Sequence, residues 1–230
     1  MHITIFANGE LPDTDIVLEP KTIIIAVDGG LHHCSALDLN PDILIGDFDS
    51  ISEDDVAKYK GEGVKLIKFP SLKDETDLEL ALIHAVELGA QEITLYGLLG
   101  GRWDMNFSNI MLLSSPRFDQ VRFYIESGET SIRILRGGMK LNINKRTDDR
   151  LSIIPLCPQA NGITLKGLEW ILDNASLDFG SQRGLSNRIL NEEAIIQLRS
   201  GKLLVIIEKI YPSSASKGEI VYSTLNGSDK

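Results

Sequence analysis

The chain has 230 residues, of which 43% are hydrophobic and 24% are charged, as in ordinary globular proteins with a sizeable core. The formal net charge of −10 and the absence of a Lys/Arg cluster argue against a nucleic-acid-binding protein, which would carry a basic face. The two cysteines form no CxxC pattern, and neither a signal peptide nor a membrane-spanning run is visible, so we expect a cytoplasmic protein without a membrane partner.

Short apolar, β-branched runs recur through the first half of the chain and predict buried strands. They cover residues 3–6, 22–27, 43–45, 64–69, 92–96 and 121–125. Continuous apolar runs, as opposed to alternating ones, are typical of strands buried on both faces, so the pattern predicts a mostly parallel sheet with flanking helices. The segments between the runs are long enough for crossover helices.

Two helices are predicted in this half. The first spans residues 76–88, because Thr76 and Glu79 have capping-box spacing before an amphipathic stretch that ends at Gly89. The second begins near Asp104. Its apolar residues recur at helical spacing and are expected to face the core: Trp103, Phe107, Ile110 and Met111.

After residue 137 short strand-like runs dominate, which predicts a smaller antiparallel β-sandwich domain. The runs cover residues 140–143, 151–154, 162–165, 168–172 and 203–208, and residues 192–198 form a weak helix candidate. The predicted organisation is an α/β domain at 1–135 and a β-sandwich domain at 136–210. Residues 211–230 are expected to form a polar, loosely attached tail.

Acidic residues follow several of the predicted strands. They are Asp28, the pair Asp47 and Asp49, the pair Asp74 and Asp77, and Asp104. Ligands of open α/β sheets bind outside the carboxyl ends of the strands, and carboxylates that converge there repel one another unless a cation such as Mg²⁺ compensates. Each aspartate alone is more typical of a turn or a helix cap, Asp74 most of all, whereas the Asp47/Asp49 pair favours metal binding.

Two further motifs have open interpretations. Gly100, Gly101 and Arg102 lie between a strand and a helix, where they would either bind phosphate through backbone N–H groups and a guanidinium or form a tight turn. Trp170 is by itself best interpreted as an inter-sheet core residue, although its ring would also suit a cationic ligand.

The order of these motifs resembles the thiamin pyrophosphokinase family over residues 8–207. The matching motifs are Asp28-Gly29-Gly30, Gly46-Asp47-Phe48-Asp49-Ser50, Lys73-Asp74-Glu75-Thr76-Asp77, Gly100-Gly101-Arg102-Trp103-Asp104 with Asn109, Gly167-Leu168-Glu169-Trp170 and Ser186-Asn187. The resemblance implies an α/β nucleotide-binding domain, a β-sandwich thiamin-binding domain and a homodimer with sites between subunits. It also implies that ATP and Mg²⁺ convert thiamin to thiamin diphosphate with release of AMP.

The resemblance also implies roles for individual residues. The Mg²⁺ ligands would be Asp47, Asp49 and Asp77, which together with Arg102 form the catalytic set. ATP would contact Asp28, Gly29, Gly100, Gly101, Arg102, Asp104 and Asn109. Thiamin would contact Trp170, Ser186 and Asn187. Either Asp77 or Asp49 would accept the hydroxyl proton.

One departure and three alternatives accompany this interpretation. Many family members have His where this chain has Met105, and Met carries no proton. The first alternative is a phosphatase with an aspartyl nucleophile in Asp47-Phe48-Asp49, although the downstream acidic pair it needs is absent. The second is a non-catalytic thiamin- or nucleotide-binding regulator, and the third is a diphosphokinase for another alcohol.

Overall fold

The computed structural model describes residues 1–11, 16–49, 51–70, 72–210 and 218–226. The chain divides into two compact units, Met1–Gly128 and Glu129–Lys230. The domain boundary predicted at residue 135 lies inside a strand of the second unit. Ser50 of the Gly46–Ser50 motif lies outside the described residues.

The first unit contains a parallel sheet, as predicted. Its strands are β1 (His2–Phe6), β2 (Ile23–Val27), β3 (Ile43–Gly46), β4 (Lys65–Lys68), β5 (Glu92–Tyr96) and β6 (Arg122–Ser127). Their order is β6-β5-β1-β2-β3-β4, and every neighbouring pair is parallel. The apolar runs of β1, β2, β3 and β5 are almost completely buried, which is why they form strands covered on both faces. The prediction of a buried strand at 64–69 is wrong in its burial, because β4 lies at the edge of the sheet and is partly exposed.

Helices connect these strands. They are α1 (Gly30–Ala36), α2 (Glu53–Gly61), α3 (Asp77–Glu87) and α4 (Trp103–Leu113), with a 3₁₀ turn at Pro116–Phe118. The capping prediction for α3 is confirmed, because the Thr76 hydroxyl accepts from the Glu79 N–H at 3.2 Å. Asp74, the most cap-like aspartate in the sequence, is not that cap. No helix in the described part of the chain has both the length and the apolar character to cross a membrane.

The second unit consists of antiparallel strands. They are β7 (Thr130–Arg136), β8 (Met139–Asn144), β9 (Arg150–Pro155), β10 (Gln159–Lys166), β11 (Leu172–Asp178), β12 (Asn187–Arg188), β13 (Glu193–Leu198), β14 (Lys202–Glu208) and β15 (Glu219–Thr224). One group has the order β12-β9-β14-β7, and the other is a separate five-stranded sheet with the order β11-β10-β13-β8-β15. The buried Tyr222 hydroxyl of β15 donates to the Ile134 carbonyl of β7 at 3.3 Å, which joins the two groups.

Three predictions for this unit are wrong. The helix candidate at 192–198 is strand β13, in which Ala194, Ile196 and Leu198 alternate into the core. The run 168–172 is mostly a loop that enters β11 only at its end. Part of the predicted loose tail is strand β15, which pairs with β8, while residues 211–217 and 227–230 lie outside the described residues.

Candidate functional site

The loops that follow β1 and β5 meet at the carboxyl edge of the first unit's sheet. The chain proceeds from β1 toward β4 on one side and from β5 to β6 on the other, so these two strands flank the switch point at which open α/β sheets bind ligands. The Gly9 N–H donates to the Gly97 carbonyl at 2.7 Å, and Glu10 donates to Leu99 at 2.7 Å. Any side chain on Gly9 would collide with these carbonyls, since its Cβ would lie 2.3 Å from the Leu99 oxygen.

Sequence reasoning missed this first loop. The available signal is the Asn8-Gly9 pair directly after a strand, which is a turn-type sequence at a ligand-binding edge. The His33 ring bonds the Gly9 carbonyl at 2.8 Å, and Gly29 lies against the Asn8 side chain. The predicted ATP-binding residue Gly29 is therefore placed beside this loop.

Two asparagines of α4 position the glycine loop at residues 97–101. The Asn106 Oδ1 accepts from the Gly100 N–H at 2.9 Å, and its Nδ2 donates to the Gly100 carbonyl at 2.7 Å. The buried Asn109 donates to the Leu98 carbonyl at 3.0 Å. Asn109, a predicted ATP contact, thus has its amide directed into the loop, whereas Gly101 at the end of this loop is exposed.

Three aspartates interact after the ends of β2 and β3 and in the first turn of α3. Burial raises the pKa of Asp28 to about 7, with further contributions from a hydrogen bond to Asp77 and from the charges of Asp77 and Asp47, which outweigh the opposing charge of Lys73. This hydrogen bond leaves the buried Oδ1 of Asp28 without a partner among the residues that the structure describes. Gly46 makes room for this oxygen, because a Cβ there would lie 1.7 Å from it. The structure therefore brings Asp28, Asp47 and Asp77 together.

The predicted pair Asp47 and Asp49 flanks an anchored aromatic residue. Phe48 is buried among β-strand and helix residues of the core and has a φ of 63°, which a bulky residue adopts only when packing enforces it. The Asp49 N–H donates to the Asp47 Oδ1 at 3.0 Å, so the two side chains share one turn. On the other side of the cluster, Lys73 forms a close ion pair with Asp77.

The residues have the chemistry of a divalent-cation site without being a preformed one. No group of three or more His, Cys, Asp and Glu side chains has a metal-site arrangement among the residues that the structure describes. Asp28 nevertheless presents a buried carboxylate oxygen without a partner, and the mutual repulsion with Asp77 and Asp47 raises its pKa. A hard cation that takes oxygen ligands would relieve both costs, so the donor set fits Mg²⁺.

Arg102 and Asp104 form an exposed pair at the start of α4. The guanidinium donates to the carboxylate twice, at 3.2 Å from Nε and 2.6 Å from Nη2. These hydrogen bonds raise the pKa of Arg102 and lower the pKa of Asp104, so both groups stay charged. A largely exposed, preorganised guanidinium beside a glycine loop is suited to phosphate oxygens.

The apolar stripe of α4 does not face the core. Trp103, Phe107 and Met111 are 84%, 67% and 40% exposed, so the prediction that this stripe is buried is wrong. Their spacing of four residues places them on one face of the helix. Three large apolar side chains in a row on a surface helix indicate an interaction face.

The second unit contains a cavity of about 310 Å³. Its lining combines apolar side chains with one aromatic, one amide and one guanidinium group: Leu165, Trp170, Ile171, Leu172, Arg183, Gly184, Leu185 and Asn187. Trp170 is 59% exposed, so the interpretation of this residue as inter-sheet core is wrong. Ser186 is absent from the lining, and its N–H donates to the Ser152 hydroxyl at 3.0 Å.

Asn187 is 5% exposed and holds the backbone of Trp170. Its Oδ1 accepts from the Trp170 N–H at 3.0 Å and from the Arg188 N–H at 2.9 Å. Its Nδ2 donates to the Trp170 carbonyl at 2.7 Å. The indole at the cavity is therefore positioned by the amide of the neighbouring strand β12.

Comparison with known proteins decides the family. The family model described as thiamin pyrophosphokinase, catalytic domain, matches residues 14–125, and the one described as thiamin pyrophosphokinase, vitamin B1 binding domain, matches residues 139–203. The chain belongs to the thiamin pyrophosphokinase family. The catalytic match covers the acidic cluster and the glycine loop, and the vitamin B1 match covers the cavity.

Named relatives agree with this assignment. The chain is 29% identical over 208 residues to thiamine pyrophosphokinase of Bacillus subtilis (strain 168), which covers 89% of this chain and 97% of the relative. It is 31% identical over 164 residues to thiamine pyrophosphokinase 1 of Oryza sativa subsp. japonica, covering 67% of this chain and 61% of the relative. A crystal structure of thiamine pyrophosphokinase from Bacillus subtilis superposes with a TM-score of 0.80 at 26% identity, covering 92% of this chain and 100% of that one.

Two residues at these sites were missed in the sequence interpretation of this thiamin pyrophosphokinase family member. Lys73 belongs to the Lys73–Asp77 motif and has no predicted role in the sequence, although it pairs with Asp77. Arg183 lies in the loop between β11 and β12, and only the folded chain brings it to the same cavity as Trp170. No local signal distinguishes Arg183 from other loop arginines, so its position at the cavity cannot be predicted from the sequence alone.

Proposed function

We propose that this chain is a thiamin pyrophosphokinase, which transfers the diphosphate group of ATP to the hydroxyl of thiamin and releases AMP. The observation that carries the proposal is the pairing of two family domains on one chain, each over a site of matching chemistry. A cluster of carboxylates lies at the ligand-binding edge of one unit, and an aromatic-lined cavity lies in the other.

The glycine loop and Arg102 form the proposed phosphate-binding part of the ATP site, with Asp28, Gly29, Asp104 and Asn109 around it. Asn106 fixes Gly100 through both of its backbone groups, so the loop is held in one conformation before the nucleotide arrives. Preorganised donors need no rearrangement as charge develops on a transferring group, which is where they contribute most to rate. Asn109 acts here by holding Leu98.

Asp47, Asp49 and Asp77 are the proposed holders of Mg²⁺, which when bound neutralises the charge of the diphosphate being transferred. Asp28 joins this cluster through Asp77 and is only partly ionised near neutral pH, since its pKa is raised to about 7. For the hydroxyl proton of thiamin we favour Asp49 over Asp77. Lys73 already forms an ion pair with Asp77, which engages an oxygen of that carboxylate, whereas Asp49 is exposed.

The cavity of the second unit is the proposed thiamin site. The face of Trp170 suits the flat, positively charged ring system of thiamin, because aromatic faces attract cations. Asn187 positions Trp170, and Ser186 lies on the adjoining turn. The net charge of −10 also favours the approach of a cationic substrate.

A homodimer with sites at the subunit interface is part of the proposal. The exposed stripe of Trp103, Phe107 and Met111 supports it, because a second copy would remove these side chains from water. The stripe lies on the helix that begins at Arg102, so a partner seated there would be next to the proposed phosphate site. The free cysteines, Cys34 and Cys157, agree with the proposed cytoplasmic location.

The direct test is to incubate the purified protein with thiamin, ATP and Mg²⁺ and to quantify AMP and thiamin diphosphate. Equal amounts of both products, abolished by EDTA, are expected. Binding of thiamin without product would favour the non-catalytic regulator and would direct attention to Met105. AMP formed only with a different alcohol would keep the diphosphate-transfer chemistry and change the acceptor.

A further inference from the structure

The cavity of the second unit has one side chain that is both charged and available to a ligand. Most of the lining is apolar, and the Asn187 amide is used by the backbone of Trp170 and Arg188. The remaining polar side chain of the lining is that of Arg183. The electrostatic preference of the cavity therefore depends on this guanidinium.

The Arg183 side chain is exposed, and the contacts of the described residues do not fix its position. Its backbone N–H donates to the Ser181 hydroxyl at 3.4 Å. Within the described residues its guanidinium has no carboxylate partner, and Glu169 of the same unit pairs with Arg188 at 3.4 Å. Because no group in the described part of the chain engages this guanidinium, its donors are available to a bound molecule.

A lone guanidinium is not expected in a cavity that binds a cation. Two positive groups in a partly desolvated space repel each other, so Arg183 disfavours thiamin unless the ligand brings an anionic group. Thiamin diphosphate brings one, and a planar guanidinium binds phosphate oxygens in a forked arrangement. The product of the proposed reaction matches the cavity better than the substrate does.

We propose that Arg183 binds the phosphate oxygens attached to thiamin, so that this unit of the chain contacts the diphosphate group and holds thiamin diphosphate more tightly than thiamin. The proposal rests on the function proposed above, because it assumes that the cavity takes thiamin. It assigns Arg183 a role in discriminating product from substrate. Under this proposal Arg183 is a second arginine, in addition to Arg102, that offsets the negative charge of the transferred diphosphate.

Calorimetric titration of the full chain with thiamin, thiamin diphosphate or inorganic pyrophosphate tests this. EDTA is present throughout, so that no metal bridges phosphate to the carboxylates. Wild type should bind thiamin diphosphate more tightly than thiamin. Arg183→Gln should lower the affinity for thiamin diphosphate by about tenfold or more, the effect of losing one charge-assisted hydrogen bond, and should leave the affinity for thiamin unchanged or raise it, because a positive charge is removed from the cavity. The affinity of Arg183→Lys for thiamin diphosphate should lie between those of wild type and Arg183→Gln.

A charge-matched control is Arg150→Gln, which removes one positive charge from an exposed position of the same unit outside the cavity lining. It should leave both affinities unchanged. An unchanged affinity of Arg183→Gln for thiamin diphosphate, or an equal loss of affinity for thiamin, would overturn the proposal, whereas weaker binding of pyrophosphate is expected because it carries the same phosphate oxygens. Wild type that binds neither thiamin nor its diphosphate would instead remove the proposed function, and this inference with it.

Discussion

Asn187 satisfies both backbone groups of Trp170, accepting from its N–H at 3.0 Å and donating to its carbonyl at 2.7 Å. Asn106 does the same for Gly100 in the first unit. In each case a side-chain amide on a regular element fixes one residue of a ligand-facing loop. An amide can do this because it carries a donor and an acceptor side by side.

Asn187→Ala should therefore reduce both stability and thiamin binding. The substitution leaves a backbone N–H and a carbonyl without their buried partner, which costs about 1–3 kcal/mol of unfolding free energy. The Trp170 loop is then released, and affinity for thiamin falls as well. Urea denaturation and calorimetry measure the two effects. Asn191→Ala, in an exposed loop of the same unit, is the control and should change neither. Full thiamin affinity in Asn187→Ala would contradict the positioning role.

Much of the first unit could be predicted because its determinants are local. The apolar runs of β1 to β6 carry their own burial pattern, and the Thr76 cap of α3 lies in four consecutive residues. The stripe of α4 was misinterpreted for the opposite reason. Helical spacing shows that Trp103 and Phe107 share a face, but nothing local says whether the chain itself covers that face.

The site could be predicted in outline only. The aspartates were found because they follow strands, whereas the raised pKa of Asp28 depends on side chains from three separate segments. Strand β13 was mistaken for a helix because a short apolar run fits both periods, and only pairing with β8 and β10 decides between them. Arg183 reaches the cavity through a loop, so its role depends wholly on tertiary structure.

Asp47→Asn should abolish turnover with little effect on the fold. Asparagine keeps the Oδ1 that accepts from the Asp49 N–H, so the turn is retained while the negative charge is lost. We expect turnover to fall by about 100-fold or more, as when an electrostatic contact to a transition state is removed. The unfolding free energy should not decrease, because a source of repulsion on Asp28 is removed.

Product formation and urea denaturation measure the effects of Asp47→Asn. The matched control is Asp38→Asn, an exposed turn residue with a φ of 55°, a conformation that asparagine tolerates. It should keep wild-type turnover. Near-wild-type product formation by Asp47→Asn would remove this residue from the catalytic set.

Asp28 should make stability fall as pH rises from about 4 to 7. Its pKa is raised to about 7 in the folded chain from 3.8, so between these values the folded state binds more protons than the unfolded state. The stabilising effect of that proton is complete below the unfolded pKa and is lost as pH rises through the folded pKa. In EDTA, the unfolding free energy of wild type should decline across this window.

Asp28→Asn removes the titrating group and should flatten that profile. The variant should be more stable than wild type at pH 8 and should lose this advantage toward pH 4. Asparagine accepts the φ of 45° found at this position, so the backbone stays unstrained. Urea denaturation at several pH values compares the two proteins. Parallel profiles for wild type and Asp28→Asn would show that the carboxyl of Asp28 titrates normally.

Phe107→Ser should weaken the proposed homodimer. The ring is 67% exposed in the isolated chain and lies between Trp103 and Met111 on one face of α4, so in a dimer it would form the centre of the buried apolar contact. Loss of such an anchor costs about 2 kcal/mol, which raises the dimer dissociation constant roughly 30-fold. Light scattering coupled to size-exclusion chromatography should show a monomer at concentrations at which wild type is a dimer.

Leu72→Ser changes another exposed apolar residue, 96% accessible, and should leave the dimer intact. A monomeric wild type, or an unaffected Phe107→Ser dimer, would exclude this face as the interface.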